Sequence, residues 1–238
     1  MNTQHILKRE VNLKALNKKI LKKTIFQVSL TLCLIILISG LLFLGAQIAF
    51  NTDTPFIAVP SRSMTISNEG ADKVIDPFGQ TLQKGDLLII QGIPPQELKT
   101  DYPNSDIIAY HNPANPNEKI IHRILTKTEI NGTIYFFTKG DGNTQYKWPN
   151  PVDPAYFDQW FNSSDNAPQG AISQELVEGK VIIRIPWIGG VALFLGDTVG
   201  DFADESIITV IFLATIMLPI LLLINLFYDA RKRFFVEQ

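Results

Sequence analysis

The longest apolar run of the chain extends over residues 24–52 and contains no charged side chain. A helix rises 1.5 Å per residue and the hydrocarbon core of a bilayer is about 30 Å thick, so a run of this length can cross a membrane. A second uncharged run, residues 206–228, is also long enough. Its Pro219 is tolerable where neighbouring groups in a helix bundle bond the carbonyl that it frees. The pattern predicts two transmembrane helices, at 24–50 and 206–228.

Between these runs, the apolar positions fall into shorter segments rich in Ile, Val, Phe and Tyr, with Gly, Pro, Asn and Asp between them. This composition is typical of strands and turns. The predicted strands lie at 55–60, 86–92, 106–111, 119–130, 133–140 and 180–195. Asn131-Gly132 can supply the two positive φ angles of a type I′ turn, which predicts a hairpin. We therefore expect a mainly β fold, with an antiparallel β domain over residues 51–204 flanked by the two helices.

Two segments interrupt the strand pattern, residues 67–84 and 143–170. The second contains six aromatic side chains that are costly to leave fully exposed: Tyr146, Trp148, Tyr156, Phe157, Trp160 and Phe161. One interpretation is a loop that its own aromatic side chains pack onto the sheet. The other is a lid or rim that contacts substrate or lipid headgroups, where amphipathic rings are favoured.

Charge is distributed unevenly along the chain. Basic residues flank both apolar runs: Lys8, Arg9, Lys14, Lys18, Lys19, Lys22 and Lys23 before the first, and Arg231, Lys232 and Arg233 after the second. Cytoplasmic flanks are enriched in Lys and Arg, so residues 1–23 and 229–238 are both expected in the cytoplasm. Residues 51–204 contain 19 Asp and Glu against 11 Lys and Arg. We expect this acidic segment on the outer side of a two-pass cell-membrane protein.

A basic start, an apolar run and small residues at Ala46 and Ala49 also fit a cleaved secretory signal. The apolar core of such a signal is typically about 7–15 residues long, so the longer run here favours a retained membrane helix. The single cysteine, Cys33, lies inside this helix. The domain that follows therefore has neither a disulfide nor a thiolate metal site. Asn131 and Asn162 begin N-glycosylation sequons on the predicted outer side.

Candidate chemistry begins shortly after the first apolar run, where residues 59–66 read Val-Pro-Ser-Arg-Ser-Met-Thr-Ile. A serine hydroxyl needs a base within hydrogen-bond reach, and the base needs a third group to orient it. His111 lies in a Pro/Asn-rich turn, where a solvated ring is expected. His122 lies in an apolar strand that can hold its ring at a fixed angle, although a lone strand histidine is more often only a satisfied polar group.

Two aspartates are candidates to orient this histidine. Asp141 lies in Lys-Gly-Asp-Gly-Asn at the end of a predicted strand, and Asp153 lies in the proline-flanked turn Asn-Pro-Val-Asp-Pro. Asp also bonds its own backbone in turns of this kind, so each residue has a purely structural explanation as well. The residues alone do not decide which aspartate orients His122.

Five motifs in order make the chain resemble the type I signal peptidase family over most of its length. They are Ser61-Arg62-Ser63-Met64, Gly85-Asp86-Leu87-Leu88, His122-Arg123, Lys139-Gly140-Asp141-Gly142-Asn143, and Gly179-Lys180-Val181 with Ile185-Pro186-Trp187-Ile188-Gly189. Bacterial members have lysine at the position of His122, whereas archaeal and endoplasmic-reticulum members have histidine. The chain therefore resembles the Ser-His-Asp branch, and its second predicted span with a basic tail resembles the archaeal members.

The resemblance implies a membrane-bound serine endopeptidase that cleaves N-terminal signal peptides from secreted and membrane preproteins at the extracytoplasmic face. Ser63 would be the nucleophile, His122 the general base, and the Ser63 amide with the Ser61 hydroxyl the oxyanion hole. Alternation along a strand would point both serines to one face, and Met64 would contact substrate near the scissile bond. The implied partners are preprotein signal peptides, the lipid bilayer and the protein-translocation machinery. No cofactor, metal or nucleic acid is implied.

The chain departs from the family pattern at several positions. Arg62 stands where Gly is common, and Lys147 stands where eukaryotic members have a second Asp. Many archaeal members have Asp-Pro after Pro-Val, which residues 150–154 match after an insertion. The resemblance therefore favours Asp153 as the triad acid, with Asp141 as a supporting residue or the alternative acid.

Two rival interpretations follow from these departures. The first is a non-catalytic membrane-anchored β domain, a binding or assembly protein whose triad has degenerated. A covalent serine probe that labels the wild type but not Ser63→Ala would separate it from an enzyme. The second is a Ser/Lys protease that uses Lys119 or Lys139, which is less favoured because neither occupies the position of His122.

The charge pattern yields a topology prediction. Protease added to intact cells should cut within residues 51–204 and leave epitope tags at both ends intact, because the basic flanks are expected in the cytoplasm. Permeabilised cells, in which the protease reaches both sides, provide the control. Protection of residues 51–204 in intact cells would reverse the orientation and exclude an extracytoplasmic site.

Overall fold

A computed structural model of the chain describes residues 3–66, 81–102, 104–143, 157–160 and 167–199, together with positions 214, 215 and 218. The chain divides into two compact units. One consists of Met1–Leu42 with Leu213–Gln238, and the other of Phe43–Phe212. The second unit contains the sheet and every candidate site residue.

The N-terminal helix, α1, extends from Thr3 to Phe50. It contains one segment, Phe26–Phe50, that is long and apolar enough to cross a membrane. Large apolar side chains within this segment are exposed, among them Leu37 at 57% and Ile48 at 84%. An apolar exposed surface of this kind fits a membrane-associated protein.

Helix α1 begins well before the predicted span at 24–50. Its first part is rich in Lys, Leu and Ile, of which Lys and Leu are good helix formers, so the helix does not need to end where the charges begin. The second predicted span, 206–228, lies outside the described residues except for positions 214, 215 and 218, which are helical.

The second unit is built on one seven-stranded sheet in which every strand pair is antiparallel. The strands are β1 Phe56–Ala58, β2 Leu87–Gln91, β3 Ile107–Asn112, β4 Asn115–Ile130, β5 Thr133–Lys139, β6 Ile172–Ser173 and β7 Val177–Ile185. Their order across the sheet is β1-β2-β7-β3-β4-β5-β6. The predicted mainly β, antiparallel fold is confirmed for the described residues.

Side-chain alternation divides the core into two clusters. Ile107 and Ala109 of β3 belong to the first, with Met64 and Ile121. The residues between and after them, Ile108 and Tyr110, belong to the second. Because successive strand residues point to opposite faces, the two clusters lie on opposite faces of the sheet.

The predicted hairpin at Asn131-Gly132 is confirmed. These two residues have φ angles of 52° and 81°, and Ile130 stands opposite Thr133 across the turn. Positive φ at both central positions is what a type I′ turn requires, and Asn and Gly tolerate it best. Asn131, which begins one of the two sequons, is exposed at this turn.

The predicted strand at 180–195 is wrong in its second half. Strand β7 ends at Ile185, and helix α2 follows over Gly189–Val199. Pro186 has no N–H to donate to a sheet, and Trp187 adopts a φ of 63°, so the chain leaves the sheet there. The two-residue strand β6 was not predicted, because it is shorter than any recognisable apolar pattern.

Several predictions lie outside the described residues. These concern most of both interrupting segments and the following side chains: Tyr146, Lys147, Trp148, Asp153, Tyr156, Phe161 and Asn162. Of the six aromatic residues in the second segment, Phe157 and Trp160 are described. Phe157 packs against Phe137 with ring centroids 4.6 Å apart, and Trp160 packs edge-on against Tyr110 at 6.2 Å.

A buried carboxylate connects the start of β2 to the end of β7. Asp86 is fully buried and accepts hydrogen bonds from the Gln83 amide at 2.7 Å and the Trp187 amide at 3.3 Å. Its Oδ2 also lies 2.5 Å from Nε of Arg184, whose side chain is 6% exposed. The Gly85-Asp86 motif thus has a structural role in the described fold.

This ion pair yields a stability prediction. Arg184→Met should lower the free energy of unfolding by about 3–5 kcal/mol, because it leaves the Asp86 charge buried without its cation. Lys180→Met is the matched control on the same strand, since Lys180 makes only a partly exposed contact at 3.5 Å with Asp106. We expect the control to cost less than about 1 kcal/mol. Equal losses in denaturant unfolding of the full chain in detergent would contradict the assigned role.

Candidate active site

The two serines are brought together by a turn. The Thr65 amide donates to the Arg62 carbonyl at 2.9 Å. The Ser61 hydroxyl donates to Ser63 Oγ at 3.1 Å, and the Ser63 amide donates to Ser61 Oγ at 3.4 Å. The sequence predicted neighbouring hydroxyls through strand alternation, but β1 already ends at Ala58. Pro60 cannot donate to a sheet, so a turn produces the proximity instead.

Two glycines after β5 hold this turn against His122. The Gly142 amide donates to the Ser63 carbonyl at 2.7 Å. A Cβ atom placed on Gly140 would lie 2.5 Å from the Ser63 carbonyl oxygen and 2.8 Å from Nε2 of His122. The Ser63 carbonyl oxygen and Nε2 of His122 both lie beside this one position, so they are close to each other. Only glycine permits the approach, because a side chain at position 140 would separate the serine from the ring.

His122 is oriented by a carboxylate. The ring lies on β4 opposite Ile108 of β3, so it shares the face of the second core cluster. Its Nδ1 lies 2.5 Å from Oδ2 of Asp158, and the two side chains are 8% and 11% exposed. Since an ionised carboxylate only accepts, Nδ1 carries the hydrogen and Nε2 keeps a lone pair toward the Ser63 turn.

Asp158 is anchored through both its backbone and its side chain. Its amide donates to the Thr138 carbonyl at 2.8 Å, which attaches this segment to β5. The Thr138 hydroxyl donates to Asp158 Oδ2 at 2.8 Å, and the Tyr110 hydroxyl lies 3.4 Å from the same oxygen. Residues 157–160 thus bring to the sheet an acid that is distant in sequence from the histidine it contacts.

Asp141 has a different partner. Its carboxylate accepts from Arg123 Nε at 2.9 Å and from Nη2 at 2.9 Å. Arg123 is fully buried, and its Nη1 donates to the Ser105 carbonyl at 2.9 Å. This fork geometry is typical of strong Arg–carboxylate pairs. Burial, followed by the charge of Asp141, also raises the pKa of the nearby Tyr102 phenol well above its ordinary value, with Arg123 acting in the opposite direction.

The two acids predicted from the sequence have different outcomes. Asp141 pairs with Arg123 and supports the turn that contains Gly140 and Gly142. Asp153 lies outside the described residues, so its predicted role as the triad acid stays a prediction. The carboxylate that contacts His122 belongs to Asp158, which the sequence did not single out.

Three other predicted residues have identifiable positions. Met64, expected beside the scissile bond, is 1% exposed, and its sulfur accepts the Asp141 amide at 3.4 Å. His111 contacts the Pro116 carbonyl at 2.7 Å and Glu178 at 2.8 Å. Lys119 also bonds Glu178, at 3.0 Å, so these two basic side chains are engaged by that carboxylate.

Lys139 is a buried cation at the end of β5. Burial lowers its pKa below the ordinary value, while the charges of Asp141 and Asp158 act in the opposite direction. A lowered pKa leaves a larger fraction of a lysine unprotonated at a given pH, which a general base requires. Lys139 directly precedes Gly140 in the sequence, and the Ser/Lys alternative stays a prediction.

Sequence reasoning missed three residues around His122, namely Asp158, Thr138 and Tyr110, which form a hydrogen-bonded group. Asn143, part of the predicted Lys139–Asn143 motif, has a side-chain nitrogen that would lie 2.8 Å from a Cβ atom on Gly140. The available signal for Asp158 was its position between Phe157 and Trp160, since aromatic residues on both sides can bury a carboxylate against a sheet. Within the described residues, no three His, Cys, Asp or Glu side chains are grouped to hold a metal ion.

Comparison with known proteins provides a relative for part of the chain. No protein-family model matches the chain. Over 99 residues the chain is 40% identical to an uncharacterized protein of Methanocaldococcus jannaschii, and the match covers 42% of this chain and 41% of that protein. The matched region is thus less than half of the relative's length.

The buried lysine yields a pH prediction. Between the lowered pKa of folded Lys139 and its ordinary value of 10.5, the unfolded chain binds more protons than the folded chain, so stability rises with pH. In that alkaline window, the free energy of unfolding of the wild type should therefore increase relative to that of Lys139→Met. Below the window, the difference should be constant. Lys99→Met, at an exposed lysine, is the control, and its free energy of unfolding should stay parallel to that of the wild type because it retains Lys139. A wild-type advantage over Lys99→Met that grows equally in the alkaline window would contradict the explanation.

Proposed function

We propose that the chain is a membrane-bound serine endopeptidase of the signal peptidase type, which cleaves N-terminal signal peptides from preproteins at the extracytoplasmic face. The observation that carries this proposal is the 2.5 Å contact between His122 Nδ1 and Asp158 Oδ2, combined with the position of Nε2 beside the Ser63 turn. A nucleophile, a base and an orienting acid in this order are the requirements of serine protease chemistry.

In the proposed reaction, the Ser63 hydroxyl transfers its proton to His122 Nε2 as Oγ attacks the scissile carbonyl carbon. The imidazolium that forms is stabilised by Asp158, which stays ionised. His122 then gives the proton to the leaving amine as the peptide C–N bond breaks. Water hydrolyses the acyl-enzyme by the same steps, with His122 again accepting and returning a proton.

The oxyanion would be stabilised by the Ser63 amide and the Ser61 hydroxyl. These two donors lie 3.4 Å apart and already bond each other, so both can face one oxygen atom when a substrate carbonyl replaces that contact. Preorganised donors of this kind are worth several kcal/mol in acyl transfer. In the described structure the single Ser61 hydroxyl hydrogen is directed at Ser63 Oγ, and in the proposed reaction this hydroxyl turns from Ser63 Oγ to the substrate oxygen as negative charge develops there.

Substrate is proposed to bind as an added strand. Strand β1 is at one edge of the sheet and ends five residues before Ser63, so an extended peptide paired with that edge would be close to the nucleophile. The apolar segment of α1 would keep the enzyme in the bilayer that also contains the signal peptide. The two-pass arrangement, with both termini cytoplasmic, and contact with the translocation machinery are parts of this proposal.

The first test removes the nucleophile or the base. Ser63→Ala and His122→Ala should each lower preprotein cleavage by several orders of magnitude, and the double variant should be little worse than either, because the residues act as one unit. Cleavage by the purified full chain in detergent is the measurement. Retained cleavage by Ser63→Ala would exclude the mechanism and favour the non-catalytic alternative or another nucleophile.

The second test compares Asp→Asn substitutions. Asp158→Asn should leave folding nearly intact and lower turnover by a factor on the order of 10⁴, because the amide no longer orients the ring or stabilises its charge. Asp141→Asn should instead destabilise the fold by about 3–5 kcal/mol, since the Arg123 charge stays buried with a weaker partner. Asp153→Asn tests the expectation from sequence. A dead, normally folded Asp153→Asn with an active Asp158→Asn would return the acid role to Asp153.

A further inference from the structure

We propose that Tyr110 and Thr138 are positioning residues that fix the Asp158 carboxylate through a chain of directed hydrogen bonds. This inference rests on the proposed function, because it assigns these hydroxyls a part in the same reaction. The hydroxyls belong to two different strands, β3 and β5, and meet the acid on the face of the sheet that contains His122.

The contacts converge on one oxygen atom. Asp158 Oδ2 is 2.5 Å from His122 Nδ1, 2.8 Å from the Thr138 hydroxyl and 3.4 Å from the Tyr110 hydroxyl. The two hydroxyl oxygens are themselves 3.0 Å apart. Alternation explains the arrangement: Thr138 stands opposite Ile124, and Ile124, Tyr110 and Ile108 are all members of the second core cluster.

The direction of each bond follows from the chemistry of the groups. The ionised carboxylate has no hydrogen, so Thr138 must donate its single hydroxyl hydrogen to Asp158. Thr138 therefore accepts at its contact with Tyr110, and the phenol is the donor, with its hydrogen shared between Thr138 Oγ1 at 3.0 Å and Asp158 Oδ2 at 3.4 Å. The result is a chain from Tyr110 through Thr138 to Asp158, with His122 donating to the acid from the other end.

Burial makes these bonds obligatory. Tyr110 and Thr138 are both fully buried, and a buried hydroxyl without a partner is costly. Burial, followed by the neighbouring charge of Asp158, raises the pKa of the Tyr110 phenol well above its ordinary value. The phenol thus remains protonated through the ordinary titration range of tyrosine and keeps its role as a donor.

The backbone bond from Asp158 to the Thr138 carbonyl fixes the position of the acid but not the rotation of its carboxylate. The hydroxyl chain fixes that rotation, because it holds Oδ2 on the side of His122. Without the hydroxyl chain, the carboxylate can rotate away from His122, and the imidazole then loses its fixed tautomer and orientation. The predicted loss is therefore in the chemical step and not in substrate binding.

Thr138→Val and Tyr110→Phe should each lower kcat about 10- to 100-fold, the loss typical of a hydrogen bond to a charged group, with little change in KM. Thr138→Ser, which restores the hydroxyl, should recover most of the activity. Thr133→Val and Tyr135→Phe are the matched controls on β5, since they make the same substitutions outside the chain of bonds. Unchanged kcat in both test variants, or equal losses in the controls, would overturn the proposal.

A second readout does not depend on cleavage. In proton NMR of the full chain in detergent, the His122 Nδ1 hydrogen should give a strongly downfield resonance, assigned by its loss in His122→Gln. This resonance should shift or broaden in Thr138→Val and Tyr110→Phe but not in the controls. A resonance unchanged by both substitutions would overturn the positioning role even if kcat falls. If the wild type shows no Ser63-dependent cleavage, the proposed function fails, and this resonance alone decides the positioning role.

Discussion

The buried ion pair of Arg123 and Asp141 is the interaction on which the candidate site depends. A guanidinium with no exposed surface requires a carboxylate at a fixed distance, and that carboxylate comes from the turn that follows β5. The same turn contains Gly140 and Gly142, which contact the Ser63 carbonyl and leave room for the His122 ring. The charge pair in the core thus determines where the backbone around the serine can lie.

Two adjacent residues of β4 place their side chains on opposite faces of the sheet. His122 points to the face of the second core cluster and contacts Asp158, while Arg123 points to the other face and contacts Asp141. Strand alternation makes this division unavoidable. It also means that a one-residue slip of β4 would exchange the two side chains and destroy both pairs at once, so the register of this strand is under strong energetic control.

The sequence predicted much of the fold because the relevant signals are local. The membrane-length run of α1, the strands at Leu87–Gln91 and Ile107–Asn112, and the Asn131-Gly132 hairpin all follow from composition over a few residues. The strand prediction was wrong in the second half of residues 180–195, because the apolar, β-prone composition there did not reveal that Pro186 and Trp187 end the strand. For the site, the motifs led to Ser63, His122 and Asp141. They did not lead to Asp158, since its contact with His122 joins residues 36 positions apart in the sequence, which no local pattern encodes.

The attachment of Asp158 has a consequence for sequence comparison. The Asp158 amide donates a hydrogen bond to the Thr138 carbonyl. This bond to β5 sets the position of Asp158, and the number of residues after the Gly140–Gly142 turn does not. The number of residues between Asn143 and Phe157 therefore does not by itself determine where the Asp158 carboxylate lies. A search for this carboxylate in related sequences should compare positions relative to the sheet and not spacings along the chain.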